Sequence, residues 1–181
     1  MSVQRERRHV QRALESWAPA LSAEEALARL EDAETSPEEA LSLLRKLTPE
    51  QVAGLDLDAL LGPMLQSEGY RVVSMIGRLK PDARTIGKLD QRLIQGVIGG
   101  SAPQNLVQYY LRYTGRHEFE KARHFLESGL QQATPEATGV FVMAAIGMRP
   151  GPDDEWLKWV EQTYQIPGDV RLAIKRRREP K

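Results

Sequence analysis

Apolar residues return along this chain at intervals of three and four, the period at which side chains line one face of an α-helix. The cleanest stripe is Ile86, Leu89, Leu93 and Val97, widened by Ile94 and Ile98 and closed by Gly99-Gly100. Near the start, Val3, Val10, Leu14 and Trp17 form another, with Arg5, Arg7, Arg8 and Arg12 on the remaining faces and Pro19 ending it. Leu27 and Leu30, then Leu41, Leu44 and Leu47, mark two short helices, and a third opens at Thr48. Leu57, Leu60, Leu61, Met64 and Leu65 continue the pattern, with a kink or break expected at Gly62-Pro63. Val72, Val73, Ile76 and Leu79 include β-branched residues that favour strands, but their spacing of one, three and three predicts a helix. Further helices are predicted over residues 101–114, 115–132, 134–148 and 152–165, and from 168 into the tail.

A recurring mark separates these stripes: a small or polar residue, then proline, then an acid or amide. It stands at Ser36-Pro37-Glu38, Thr48-Pro49-Glu50, Lys80-Pro81-Asp82, Thr134-Pro135-Glu136 and Gly151-Pro152-Asp153, and as Pro103-Gln104 behind Ser101. Proline fits a first helical turn because the N–H groups there lack intrahelical partners, and an acid meets the positive end of the dipole. Ser22 with Glu25, Ser36 with Glu39, Thr48 with Gln51 and Ser101 with Gln104 carry the spacing of a reciprocal cap. No Asn-Gly or Asp-Gly occurs to turn a hairpin sheet. The expectation is an all-α fold of about nine or ten short helices, joined by short loops into stacked antiparallel hairpins, either a repeat-like array or a compact multi-helix bundle.

Residues 106–135 contain Tyr109, Tyr110 and Tyr113 in a first helix, Gly115 at the turn, Ala122 inside a second helix and Pro135 at the close. In these features the stretch resembles one tetratricopeptide-type unit, although its turn-to-alanine interval is longer and no second unit matches. The resemblance implies architecture alone, and no binding residue is carried over from it.

Composition narrows the functional classes. The 181 residues suffice for one helical domain, 1–181, or for an acidic N-terminal part, 1–58, beside a main body, 59–181, with a basic tail. Zero cysteines exclude disulfides, thiolate metal sites and a cysteine nucleophile, and point to the cytoplasm. No apolar run reaches the length of a membrane span, and the opening residues lack a secretory core. Their arginines suit a mitochondrial transit peptide, but Glu6 and Glu15 argue against one. Net charge is zero, yet unevenly spread: residues 13–58 hold eleven acids against three bases, whereas 59–131 hold ten bases against six acids. Such segregation either steers a charged partner or lets the blocks face each other within or between molecules.

Catalytic constellations are missing from the pattern. His117, Glu120 and His124 would share one helix face but lack the four-residue spacing of a two-histidine zinc helix and a fourth ligand, so they are expected to be solvated. The cluster Gly96-Val97-Ile98-Gly99-Gly100 has neither the lysine of a phosphate loop nor a preceding strand and is expected to stop a helix. The pairs Glu24-Glu25 and Glu38-Glu39 sit in first turns, where capping accounts for them. No enzyme activity, cofactor or metal is expected.

Between residues 109 and 125, Tyr109, Tyr110, Tyr113, Phe119 and Phe125 alternate with Arg112, Arg116, Lys121 and Arg123. That alternation suits single-stranded nucleic acid, where rings stack on bases and cations meet phosphates, but helical spacing assigns most of these rings to a core. Lys175, Arg176, Arg177 and Arg178 form a basic tail able to offset a helix dipole, bind phosphates or dock on an acidic surface. Trp156 and Trp159 lie three apart on a helix with Leu157, Val160 and Tyr164; at least one ring is expected in the core, and both are candidate partner-binding residues, since an exposed indole there would make an interface hot spot. The expected function is a non-catalytic protein-interaction or scaffolding module, binding another protein or itself. Nucleic-acid binding through Arg112, Arg116, Arg123 and the tail is the alternative.

Overall fold

Local capping chemistry marks where most of the helices of this protein begin. A computed structural model describes residues 22–32 and 34–178, and within them the chain forms eleven helices and no strand. The stripe from Val3 to Trp17 lies outside the described residues. The chain divides into two compact units at Leu55/Asp56.

The first unit holds α1 (Ala23–Glu31), α2 (Pro37–Leu44) and α3 (Pro49–Ala53). Ser22 with Glu25 and Thr48 with Gln51 form full reciprocal caps, and the Ser36 hydroxyl accepts the Glu39 N–H. Ala26, Leu30, Ala40, Leu41, Leu43, Leu44 and Val52 are buried, and Arg29 meets Glu39 at 3.0 Å between α1 and α2.

The second unit contains α4 (Leu57–Ser67), α5 (Tyr70–Leu79), α6 (Ala83–Ile98), α7 (Gln104–Tyr113), α8 (Phe119–Gln132), α9 (Pro135–Ile146), α10 (Asp154–Thr163) and α11 (Gly168–Arg178). Proline stands in the first turn of α2, α3 and α9, as the repeated mark predicts. Where aspartate follows the proline, the aspartate becomes the cap: Asp82 accepts the Thr85 N–H at 2.7 Å and Asp153 the Trp156 N–H at 2.7 Å. Ser101 does not cap. The N–H groups of Ser101 and Ala102 both turn back to the Gly96 carbonyl, the Ser101 hydroxyl joins them at 3.1 Å, and α7 starts only at Gln104. Nor does Gly62-Pro63 break its helix, since α4 runs through both while Leu61, Met64 and Leu65 are buried.

Of the two arrangements expected, this unit adopts the compact bundle, and α9 lies at its centre against α6, α7, α8 and α11. Its residues Ala137, Thr138, Gly139, Phe141, Val142, Ala144 and Ala145 are all buried, so no polar face remains. A Cβ on Gly129 of α8 would come within 2.5 Å of the Phe141 ring, so a bare backbone is what lets that ring seat. Helix α4 packs on α6 and α5 on α7, which sets α5 and α7 side by side. The helices of the 106–135 stretch pack chiefly on other elements, α7 on α5 and α9 and α8 on α9.

Candidate partner-binding face

Helix α7 divides its tyrosines between core and surface. Leu106, Val107, Tyr110 and Leu111 form its buried stripe, whereas Tyr109, Arg112 and Tyr113 lie on the opposite side. Tyr110 is fully buried against Phe125, its hydroxyl donating to Asp90 Oδ1 at 2.7 Å. Arg116 closes the cluster with two parallel bonds to the Asp90 carboxylate, each 2.7 Å, and a third to the Thr114 hydroxyl at 3.0 Å. Its guanidinium carbon also lies 5.3 Å from the centroid of the Tyr110 ring and 5.6 Å from that of Phe125. Burial, reinforced by the Asp90 charge, raises the Tyr110 pKa well above the ordinary phenol value. Burial opposes the charge on Arg116, but Asp90 outweighs it and holds the guanidinium protonated. Arg116 therefore ties the loop after α7 to α6, with its side chain 18% exposed.

Above this cluster, α5 and α7 display a tyrosine face. Tyr70, Tyr109 and Tyr113 are 50%, 44% and 48% exposed, three of the five large apolar side chains so exposed among the described residues. Tyr70 meets Tyr109 edge-on with centroids 5.7 Å apart. Tyr113 lies over Gly77, where a Cβ would stand 2.6 Å from the ring. Ser74, Gly77 and Arg78 of α5 with Tyr109, Arg112 and Tyr113 of α7 line a cleft of about 630 Å³. Arg112 is also a wall of a second cleft, about 540 Å³, completed by Gln108, His117, Gly147, Met148 and Arg149.

The other predicted residues fall elsewhere. Trp156 is 3% exposed, stacked edge-on against Phe119 at 5.0 Å, with its indole N–H donating to Glu127 at 3.2 Å. It belongs to the core, and of the pair only Trp159 reaches the surface, between Trp156 and Tyr164. Arg123 is held by Glu127 at 2.8 Å on its own helix. Arg178 pairs with Glu161 at 2.6 Å and with Asp154, while Arg177 donates to the Ile146 and Pro152 carbonyls. Lys175 and Arg176 are exposed on α11. Arg176, Arg177 and Arg178 line another groove with Asp154, Asp169 and Leu172, which shares Arg149 but not Arg112 with the second cleft, so the predicted cations do not line one cleft together.

Two contributors to the tyrosine face, Tyr70 and Arg78, escaped the sequence reading. Their signal was present: Tyr70, Ser74 and Arg78 recur every four residues, the polar complement of the buried Val72, Val73 and Ile76. His117 precedes α8, so the trio with Glu120 and His124 does not share a helix, and no group of His, Asp and Glu among the described residues is placed to hold a metal. No helix among them is long and apolar enough to cross a membrane. No protein-family model matches the chain, and neither a curated protein nor a solved structure matches it at a significant level.

Proposed function

We propose that this chain is a non-catalytic helical interaction module that presents the tyrosine face of α5 and α7 to a protein partner. One observation carries the reading: Tyr70, Tyr109 and Tyr113 stand exposed, Tyr70 edge-on to Tyr109, and Tyr109 and Tyr113 share a cleft with Arg78 and Arg112. Tyrosine and arginine are the residues in which interfaces concentrate binding energy, because a ring buries much area while losing few rotamers and a guanidinium donates in a fixed fork. The nucleic-acid alternative is weakened because four of its seven cations, Arg116, Arg123, Arg177 and Arg178, already bond to carboxylates or carbonyls within the protein. The zero cysteine count favours a cytoplasmic site of action.

The test compares the wild-type chain with Tyr109→Ser and Arg112→Ser variants as baits in nuclease-treated lysate from the native host. A specific protein recovered by the wild type and lost from both folded variants supports the proposal. Recovery unchanged by either substitution refutes it.

A further inference from the structure

The two clefts that meet at Arg112 carry an unbalanced charge. Arg78, Arg112 and Arg149 line them, and none makes an ion pair among the described residues; Arg149 donates only to the Ile146 and Met148 carbonyls. Several arginines elsewhere are matched, as in Arg29 with Glu39, Arg123 with Glu127 and Arg178 with Glu161, although Arg84, Arg171 and Arg176 also make no ion pair among the described residues. The acid beside the second cleft, Glu118, is occupied by Lys121 at 2.9 Å and by His117 at 3.3 Å. Arg78 and Arg112 thus flank Tyr109 and Tyr113 in the first cleft, and Arg149 stands across the second from Arg112, on a molecule whose net charge is zero.

We infer that the two clefts form one groove whose occupant is an acidic peptide segment of a partner protein. A large apolar side chain of that segment enters between Tyr109 and Tyr113, and carboxylates on either side pair with Arg78, Arg112 and Arg149. The inference rests on the interaction-module reading and adds the chemistry of the partner. Size agrees with it: clefts of about 630 and 540 Å³ accept a few side chains, whereas a domain-sized partner needs about 800 Å² of surface on each side. Carboxylates suit forked donors, which bind them through two parallel bonds. Single-stranded nucleic acid fits less well, because it needs open ring faces in series. Here Tyr113 lies on Gly77 and Tyr70 packs edge-on to Tyr109. Three cations would moreover give a salt-dependence slope of only about −2, far short of a phosphate-binding surface.

The experiment pans a random dodecapeptide phage library against the full chain at about 0.15 M salt, the physiological ionic strength. Selected peptides are then synthesised and measured by fluorescence anisotropy. The expected winners combine two or more Asp or Glu with an aromatic or large aliphatic residue. Their affinity should fall at least tenfold with Arg78→Glu plus Arg112→Glu, less with Arg112→Gln, and strongly with Tyr109→Ser, while circular dichroism stays unchanged. Peptides with Lys in place of the acids should bind the double-Glu variant better than the wild type. Winners that lose affinity with Tyr109→Ser but show no excess of acid overturn this inference and leave the module reading standing. Binding insensitive to Tyr109→Ser, or a library with no binder, overturns both. Displacement of the winners by a twelve-residue oligothymidylate, or a preference for phosphorylated over acidic peptides, would transfer the groove to phosphate ligands and overturn the carboxylate assignment.

Discussion

Replacing Arg116 by methionine removes a guanidinium while keeping much of the side chain's bulk, and the consequence can be worked from the cluster it leaves behind. Asp90 would lose both 2.7 Å bonds and retain only the Tyr110 hydroxyl, with its side chain 14% exposed. Stranding one partner of a buried pair costs about 3–5 kcal/mol, and the residual exposure of both groups, 18% and 14%, admits enough water to place this case at about 3. On a stability of about 5–15 kcal/mol that loss is large, equivalent to a fall in Tm of about 6–12 °C. Asp90→Asn keeps an acceptor for Tyr110 but weakens the charged bonds, and should cost about 2 kcal/mol. The double change Asp90→Leu with Arg116→Met replaces the pair by apolar groups and should cost less than Arg116→Met alone, because no charge is left stranded. Urea denaturation of the full chain, followed by near-ultraviolet circular dichroism, gives all three values provided the slope m is unchanged. A loss below about 1 kcal/mol for Arg116→Met, or strict additivity in the double variant, would refute the reasoning.

Three further outcomes are expected. Because the Tyr110 pKa is raised in the folded protein, the unfolded chain loses its phenolic proton first above about pH 10; folding stability should then fall by about 1.4 kcal/mol per pH unit from this group, and Tyr110→Phe should flatten that alkaline slope in pH-dependent denaturation. Asp153→Ala should cost about 1 kcal/mol and Ser101→Ala less than about 0.5, since only the first side chain caps a helix; equal losses would mean that the two helix starts are wrongly understood. Gly87→Ala meets nothing within 4 Å in the middle of α6 and should stabilise by about 0.5–1 kcal/mol, whereas Gly129→Ala drives a methyl into Phe141 and should destabilise by about 1–3, both read from urea midpoints.

Helix starts were legible in the sequence where their chemistry is local. Thr48, Thr134 and Asp82 cap through hydrogen bonds to residues three positions on, so a short window contains everything needed. Ser101 misled because its hydroxyl had a competing acceptor, the Gly96 carbonyl, made reachable by the turn at Gly99-Gly100. At Gly62-Pro63 the local signal for a break was outweighed by burial of Leu61 and Leu65. The tyrosine face was half visible. Alternation of rings and cations marked residues 109–125, but which rings turn outward depends on the partners of α7. Arg116 looked like any other cation because its burial is decided by Asp90, 26 residues away. Tyr70 and Arg78 join Tyr109 and Arg112 only through the packing of α5 on α7, which no local pattern encodes.

The anchoring of Tyr110 to Asp90 has a consequence for recognition at the opposite side of its helix. Successive residues of a helix point about 100° apart, so a rotation of α7 by a single residue would bring Tyr109 inward and throw Tyr110 out. The salt-linked hydroxyl underneath works like a key in a shaft: it fixes the angular phase of α7 and with it the direction in which Tyr109, Arg112 and Tyr113 project. A partner of the proposed kind would find these rings already aimed, because the ordering that binding would otherwise demand is completed during folding.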